Sequence, residues 1–215
     1  MNVGIILAAG MSRRYNKKVP KQFDESFNQK MLIEYSVKTF LNHSKIDKVI
    51  LVVPKLYLEK IKNKFENCLV ITGGRTRQES SFLGLKACPE NCINVLIHDA
   101  ARPFVSNEII HNCINNLNDN IAICPALPCT DTIAEAENND TISKTLNRNI
   151  LYNLQTPQAF NYKILFNCHK KLDEQVTDDI SIIKKQGYNC KIIDGDIKNM
   201  KITYKEDFKI LESLI

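Results

Sequence analysis

Short apolar segments alternate with segments of helical periodicity along this chain, and this alternation limits the possible folds more than any other feature. Val3 to Leu7 and Val49 to Val53 are runs typical of buried strands, and Met31 to Leu41 between them repeats apolar residues at helical spacing. Leu69 to Ile71 and Val95 to Ile97 repeat the strand pattern after further helical segments. Strands separated by helices predict a mostly parallel sheet with helices on both faces, which is an α/β fold.

The first predicted strand ends in a loop of small residues followed by a basic segment. Ala8, Ala9 and Gly10 leave the backbone accessible, and Arg14 and Lys21 come soon after. The free N–H groups of such a loop can hold an anion that the cations neutralise. The sequence therefore predicts a phosphate site, and the alternative is a tight turn followed by a solvated basic face.

Two further predicted strands end in residues suited to the same site. Gly73 and Gly74 follow the third strand, and Asp99 follows the fourth. Ligands of open α/β sheets bind in the crevice at the carboxyl ends of the strands. We therefore expect these loops to converge with the first one.

The chemistry of this predicted site follows from its charges, which are one carboxylate and four cations: Asp99 with Arg14, Lys21, Arg102 and Lys201. This set is typical of phosphoryl or nucleotidyl transfer, in which the protein positions two anions and stabilises charge on phosphorus. Asp99 would be the protein ligand of a magnesium ion, which often needs only one or two carboxylates. The alternative is that Asp99 caps a turn at the end of its strand.

The pattern changes after the fifth predicted strand, Ile121 to Pro125. Thr130 to Leu146 alternates polar and small apolar residues about a turn signal at 138–140, which predicts a hairpin with little to bury. The simplest use of such a hairpin is to embrace a partner subunit, and a surface hairpin is the alternative. We expect residues 1–215 to form one domain with a projecting β-arm at about 130–155, and we expect a homodimer.

Capping residues predict where several of the later helices begin and end. Ser106 and Thr177 are expected to cap the helices that follow them, and Gly187 is expected to end the second of these. Thr203 with Glu206 is expected to form a capping box. These helices continue the α/β pattern into the second half of the chain.

Composition excludes several classes of protein. The net charge of +5 comes with 24 acidic residues, which favours a small anionic substrate over nucleic acid. The eight cysteines are scattered without a C-x-x-C pair, so they predict buried thiols and neither disulfides nor zinc. No stretch approaches the roughly 18 apolar residues of a membrane span, and no secretion signal precedes the first strand. We expect a cytoplasmic protein with no membrane or nucleic-acid partner.

Six segments carry a resemblance to a known family, and they are AAGMSRRYNKKVPKQ from Ala8, GGRTRQESSFLGL from Gly73, HDAARPF from His98, NRNILYNLQTPQAF from Asn147, TDD from Thr177 and NMKIT from Asn199. They span almost the whole chain. Together they resemble the 2-C-methyl-D-erythritol 4-phosphate cytidylyltransferase family. The resemblance implies a Rossmann-like nucleotidyltransferase fold and transfer of a cytidylyl group from CTP to methylerythritol phosphate in non-mevalonate isoprenoid synthesis, with Mg²⁺ as cofactor.

The resemblance also implies a role for each matching residue. Arg14, Lys21 and Lys201 would be the catalytic cations, the first two on the triphosphate and Lys201 beside the methylerythritol phosphate. Asp99 would hold the magnesium ion. The remaining residues would bind the substrates: Ala8, Ala9, Gly10, Gly74 and Ser80 the cytidine and phosphates of CTP, and Arg102, Thr145 and Thr177 the methylerythritol phosphate. Thr145 lies on the predicted arm, which in the family reaches into the neighbouring subunit of a homodimer.

Two positions depart from the family pattern. Where members commonly have an arginine shortly after TPQ, this sequence has Tyr162 with Lys163 next to it. Either Lys163 substitutes in binding the substrate phosphate or the pocket is built differently. An acidic residue that follows the second glycine in some members is Arg75 here, so cytosine selection is expected to rest on backbone groups and Ser80.

Three alternative functions are weighed against this one. A ribitol 5-phosphate cytidylyltransferase shares the fold and the CTP chemistry, but such enzymes more typically read AGG and HDAVRP where this chain has AAG and HDAARP. A Rossmann dinucleotide oxidoreductase would need a G-x-G-x-x-G turn, which the sequence lacks. A non-catalytic nucleotide-binding module would bind CTP without releasing pyrophosphate.

Overall fold

A computed structural model describes residues 1–12, 15, 19–25, 27–138, 140–172 and 174–213, which form an eight-stranded sheet, a separate two-stranded sheet and the helices around them. The strands are β1 (Asn2–Leu7), β2 (Lys48–Val53), β3 (Leu69–Thr72), β4 (Asn94–Asp99), β5 (Ala122–Pro128), β6 (Ala134–Glu137), β7 (Thr141–Thr145), β8 (Tyr152–Leu154), β9 (Gln158–Asn161) and β10 (Lys191–Asp194). The α-helices are α1 (Leu32–Asn42), α2 (Leu58–Lys64), α3 (Arg77–Lys86), α4 (Asn107–Asn116), α5 (Tyr162–Lys171), α6 (Asp179–Lys185) and α7 (Asp207–Ser213).

The large sheet is mostly parallel, as the alternating sequence pattern predicts. Its strand order is β10-β5-β9-β4-β1-β2-β3, and β8 pairs with β5 outside this path. β1 runs parallel to both neighbours, with Leu7 beside Val52 on β2 and beside Asp99 on β4. β3 and β10 are also parallel to their neighbours. This register ends β1 and β4 side by side, so the loops that follow them start at the same edge of the sheet.

Both faces of the central strands are buried, which is why their sequences contain unbroken apolar runs. Successive residues of β1 point to opposite faces: Ile6 belongs to the core that contains Phe40 of α1, and Ile5 to the core that contains Leu85 of α3. Gly4 lies against α1, where an added Cβ would be 2.4 Å from Cδ1 of Phe40. Glycine at this position therefore lets α1 approach the sheet closely.

The sequence pattern did not predict β9, which follows Thr156 and Pro157. It runs antiparallel between β4 and β5 and pairs with both. The strand has only four residues and begins with a buried glutamine, so it shows neither an apolar run nor a regular alternation. Its position brings Thr156 to the end of β4, where the Thr156 hydroxyl accepts a hydrogen bond from the backbone N–H of Asp99 at 3.1 Å.

The predicted hairpin is present as β6 and β7, which form their own antiparallel sheet. Every residue of both strands is exposed. Asn138 in the turn has a φ of 51°, a left-handed conformation that asparagine tolerates better than most residues. The structure thus confirms a β-hairpin arm whose residues find little to pack against within their own chain.

One of the three predicted helix starts is confirmed and two are wrong. The Ser106 hydroxyl accepts a hydrogen bond from the backbone N–H of Ile109 and caps α4. Asp178, and not Thr177, caps α6, because the helix begins at Asp179 and the Asp178 side chain accepts a hydrogen bond from the backbone N–H of Ser181. The capping box at Thr203 does not form, since the Asp207 carboxylate accepts the N–H of Thr203 at 2.6 Å instead.

The described helices are too short and too polar to cross a lipid bilayer.

Candidate active site

A cavity of about 690 Å³ opens at the carboxyl ends of β1, β2, β3 and β4. Its volume is in the range typical of small-molecule sites. The lining includes many of the residues predicted from the sequence: Ala8, Ala9, Gly10, Lys21, Gly74, Ser80, Asp99 and Lys201. The expected convergence of the strand-end loops on one site is therefore observed.

Gln22 holds the loop that follows β1. Its side-chain amide donates to the carbonyl of Ala8 at 2.6 Å and to that of Gly10 at 2.7 Å, and its amide oxygen accepts from the Ser12 hydroxyl at 3.0 Å. Gln22 is only 3% exposed. The loop is therefore fixed by one buried side chain, which the sequence analysis did not single out because nothing local distinguishes it from a surface glutamine.

Ser80 holds the second glycine loop. Its hydroxyl donates to the carbonyl of Thr76 at 2.9 Å and accepts from the backbone N–H of Gly74 at 3.1 Å. A Cβ on Gly73 would lie 2.4 Å from the Cβ of Ala9, so the two loops touch and glycine is required between them. The position of Ser80 in the lining is compatible with its predicted contact with cytidine, but its hydroxyl also has a structural task.

Asp99 lies at the end of β4 between two cations. Its Oδ1 accepts from Nε of Arg77 at 3.1 Å, and its Oδ2 accepts from Nζ of Lys201 at 2.5 Å. Burial by itself would raise the pKa of Asp99, but the attraction of Arg77 and Lys201 outweighs it and holds the pKa well below its usual range. The carboxylate is therefore ionised at neutral pH and faces the cavity with an ammonium group beside it.

Arg77 is a site residue that the sequence analysis missed. It begins α3, lines the cavity and joins Asp99 to a second carboxylate, since its Nη1 donates to Oδ2 of Asp179 at 2.7 Å. Arg77 lies in the quoted segment GGRTRQESSFLGL, so the motif contained it. Its partners are distant in sequence, and no local pattern pairs it with them.

Lys21 is anchored beside Lys201. Its ammonium group donates to the backbone carbonyl of Ile202, the residue that follows Lys201. Ile202 is in turn fixed by a backbone hydrogen bond from its N–H to the carbonyl of Ala101 at 2.8 Å. Both lysines line the cavity, as predicted. Arg14, the third predicted catalytic cation, lies outside the described residues.

Arg102 is close to the site but outside the lining of the cavity. Its Nη1 donates to the carbonyl of Asn199 at 2.7 Å and its Nη2 to the carbonyl of Leu154 at 3.1 Å. The side chain therefore joins the segment before Lys201 to β8. Its predicted contact with the methylerythritol phosphate stays a prediction.

Two predicted substrate residues lie away from the cavity of their own chain. Thr145 is exposed at the end of β7 on the arm. Thr177 is exposed just before Asp178, the cap of α6. Their roles stay predictions, and that of Thr145 requires a second subunit.

Lys163 is a third predicted substrate residue that lies away from the cavity of its own chain, and its role stays a prediction. Lys163 lies at the start of α5, directly after β9, and is exposed. Because β9 is antiparallel to β4, with Asn161 beside Asn94, α5 begins where β4 begins. Asp99 lies at the other end of β4, about 17 Å away at a rise of about 3.3 Å per residue.

The neighbouring Tyr162 packs within the fold. Its hydroxyl donates to the carbonyl of Leu85 at 3.3 Å, and its backbone N–H donates to the carbonyl of Ile93 at 2.8 Å. The Tyr162 hydroxyl therefore joins the start of α5 to α3. The way in which the substrate phosphate is held stays a prediction.

Asp99 is the candidate magnesium ligand. The described part of the chain has no group of three or more His, Cys, Asp or Glu side chains placed to hold a metal ion. Asp99 nevertheless fits the role, because it is ionised, faces the cavity and offers the hard oxygen that Mg²⁺ prefers. Since Arg77 and Lys201 already contact its two oxygens, the ion would share the carboxylate and take other ligands from water and substrate phosphate.

Comparisons with known proteins agree with the geometry. A family model described as "IspD: 2-C-methyl-D-erythritol 4-phosphate cytidylyltransferase" matches residues 2–215. A curated protein of that name from Thermosipho melanesiensis is 39% identical, with 98% of this chain and 96% of that protein covered. A bifunctional IspD/IspF enzyme from Pelagibacter ubique is 40% identical over 95% of this chain, which spans 55% of that longer protein.

Solved structures agree as well. The crystal structure of 4-diphosphocytidyl-2C-methyl-D-erythritol synthase from Anaerococcus prevotii superposes with a TM-score of 0.87 at 30% identity, covering 99% of this chain and 95% of that one. The chain, with its mostly parallel sheet and the cavity at the ends of β1 to β4, belongs to the 2-C-methyl-D-erythritol 4-phosphate cytidylyltransferase family.

Proposed function

We propose that this chain transfers the cytidylyl group of CTP to 2-C-methyl-D-erythritol 4-phosphate and releases pyrophosphate, in the non-mevalonate route to isoprenoid precursors. The observation that carries the proposal is the placement of ionised Asp99 with Lys201 and Lys21 in one cavity, beside two glycine-containing loops, in a chain of this family. Loops of this kind suit the phosphates of a nucleotide.

The reaction needs no nucleophile from the protein. A phosphate oxygen of methylerythritol phosphate attacks the α-phosphorus of CTP, a new P–O bond forms, and the bond to the β-phosphate breaks with pyrophosphate as the leaving group. The attacking oxygen is already ionised at neutral pH, so no general base is required. The chain's task is to align the two anions and to stabilise the charge that spreads over the α-phosphoryl oxygens.

We assign this stabilisation to Lys21 and Lys201, with Arg14 as a third cation. The anchoring of Lys21 on the Ile202 carbonyl supports the assignment, because a fixed cation costs little reorganisation at the moment of reaction. Asp99 would hold a magnesium ion, which would supply neutralisation of phosphate charge. Ala8, Ala9, Gly10, Gly74 and Ser80 would bind the nucleotide.

Pyrophosphate release distinguishes this function from its alternatives. The purified chain is incubated with CTP and Mg²⁺ together with methylerythritol phosphate, ribitol 5-phosphate or no acceptor. We expect turnover at least tenfold faster with methylerythritol phosphate than with ribitol 5-phosphate, because the pocket must fit one polyol phosphate. Faster turnover with ribitol 5-phosphate would favour the other cytidylyltransferase, and binding of CTP without pyrophosphate release would favour a non-catalytic module.

We further propose that the arm pairs two copies of the chain. Large apolar side chains on the arm and beside it are exposed, with Ile142 68% and Ile150 73% exposed and Tyr152 and Leu154 close by on β8. Exposed apolar side chains of this size support a covered interface in solution. A homodimer would also carry Thr145 to a neighbouring cavity.

Sedimentation velocity tests this pairing. Ile142→Glu is expected to shift the protein towards monomer, because a carboxylate would be buried at the interface. Ile93→Glu serves as the control for an equally drastic surface change, since Ile93 is exposed just before β4. A wild-type monomer at micromolar concentration would contradict the proposal.

We also propose a cytoplasmic location, supported by eight free thiols, all in the described part of the chain.

A further inference from the structure

Arg77 is shared between two carboxylates that belong to different elements of the fold. Its Nε contacts Asp99 at the end of β4 at 3.1 Å, and its Nη1 contacts Asp179 at the start of α6 at 2.7 Å. Two carboxylates fix the orientation of the Arg77 guanidinium better than one carboxylate would, because each carboxylate accepts from a different nitrogen. Arg77 therefore links the cavity to a carboxylate behind it.

Asp179 is held firmly in place. It is completely buried, its Oδ1 accepts from the Ser81 hydroxyl at 2.6 Å, and the same oxygen lies 3.0 Å from Nε2 of His169. The ring of His169 stacks on Phe82 with the two planes 3° apart. Asp179 thus offers Arg77 a buried negative charge that two separate contacts hold in place, so the loss of one of them leaves the charge where it is.

The third nitrogen of Arg77 shows that this arrangement is not optimised as a structural ion pair alone. Nη2 is buried and has no hydrogen-bond partner among the described residues. An unpartnered buried donor is costly, and proteins tend to retain such groups where function requires them. The guanidinium is oriented to satisfy Asp99 and Asp179 at the expense of its own last donor.

The charges explain what the link achieves. Asp99 contacts two cations, Arg77 and Lys201, and would be overcompensated if both charges acted on it alone. Asp179 takes part of the attraction of Arg77, so the four groups sum to zero charge. Because Asp179 draws on Arg77, it leaves the charge of Asp99 less fully neutralised towards a divalent cation.

We infer that Asp179 is a positioning residue for the proposed reaction. Asp179 acts through Arg77 to orient Asp99 and to preserve the affinity of Asp99 for a divalent metal. The inference rests on the proposed function for its kinetic consequences, but the metal affinity can be measured without turnover. Residues that orient a metal ligand typically change metal affinity by 10- to 100-fold when removed.

The test compares Asp179→Asn with Asp179→Glu, and Ser81→Ala provides the structural control. Asp179→Asn keeps the shape but removes the charge, Asp179→Glu restores the charge, and Ser81→Ala removes a buried hydrogen bond to Asp179 without changing any charge. Binding of Mn²⁺ in the presence of CTP is followed by electron paramagnetic resonance. The Mg²⁺ concentration for half-maximal pyrophosphate release is measured in parallel, and urea unfolding reports the stability of each variant.

We expect Asp179→Asn to weaken Mn²⁺ binding and to raise the half-maximal Mg²⁺ concentration by about tenfold. Asp179→Glu should recover at least part of this loss, and Ser81→Ala should stay within about twofold of wild type. Equal metal affinity in wild type and Asp179→Asn would overturn the inference, as would an equal loss in Ser81→Ala.

Arg77→Lys provides the test if Asp179→Asn does not fold. Lysine keeps the charge but has one nitrogen, so it cannot span both carboxylates in the geometry of Arg77. The inference predicts a similar tenfold loss of Mn²⁺ affinity, and wild-type affinity in this variant would overturn it. Absence of pyrophosphate release in wild type would contradict the proposed function alone, since Mn²⁺ binding still reports on Asp179.

Discussion

Asp99→Asn is expected to lower kcat/KM by at least about 10³-fold, the largest effect of any single change considered for this chain. The amide has the same shape but no charge, so it is a poor magnesium ligand. The change also removes the carboxylate that Arg77 and Lys201 share, so that Lys201 loses this partner and Arg77 keeps only Asp179. Two cations would then repel each other in the cavity, and Lys201 would lose its position.

Asp194→Asn is the matched control for this prediction. Asp194 also ends a parallel strand, β10, but it is exposed and outside the lining of the cavity. Steady-state kinetics at saturating and limiting Mg²⁺ would compare the two variants. An Asp99→Asn enzyme within tenfold of wild type at high Mg²⁺ would show that Asp99 neither holds the metal nor positions Lys201.

Lys21→Ala is expected to lower kcat by about 10²- to 10³-fold while the KM for CTP changes by less than about threefold. A cation that acts on charge developing in the transition state contributes to kcat, whereas one that binds the ground state contributes equally to KM. The anchored position of Lys21 on the Ile202 carbonyl suits the first role, because its charge does not need to reorganise.

Initial rates over a range of CTP concentrations separate these two roles. Lys38→Ala serves as the control, because Lys38 is exposed on α1 and lies outside the cavity. Parallel losses in kcat and in affinity for CTP would demote Lys21 to a binding residue. If Lys38→Ala lowered kcat as much as Lys21→Ala does, the loss would reflect a general effect of charge.

Local sequence patterns predicted the strands that are buried on both faces of the sheet. The runs in β1, β2 and β4 are apolar because both faces of those strands are buried, so each run by itself indicates a strand. β9 escaped prediction because its burial comes from insertion between β4 and β5, which no pattern in four residues can reveal. Thr177 and Asp178 are neighbours and both suit a cap position, so the sequence alone could not show which of them begins α6.

The same distinction applies to the site. Residues that follow strands, such as Gly74 and Asp99, could be placed at one edge of the sheet because parallel strands end together. Gln22 and Asp179 could not be placed in this way. Their roles depend on contacts with residues that are distant in sequence, and no local pattern marks either side chain. Lys163 was named because family members commonly have an arginine shortly after TPQ; the antiparallel course of β9 places it at the far end of β4 from Asp99, and its role stays a prediction.

The identity of the product tests the account most directly. The wild-type chain is incubated with CTP, Mg²⁺ and methylerythritol phosphate, and the mixture is followed by ³¹P nuclear magnetic resonance. The account predicts that the triphosphate and phosphomonoester signals are replaced by those of pyrophosphate and of one diphosphate diester, in equal amounts, and that Asp99→Asn slows this conversion at least about 10³-fold. Unchanged CTP in the presence of the folded wild-type protein, Mg²⁺ and methylerythritol phosphate would contradict it.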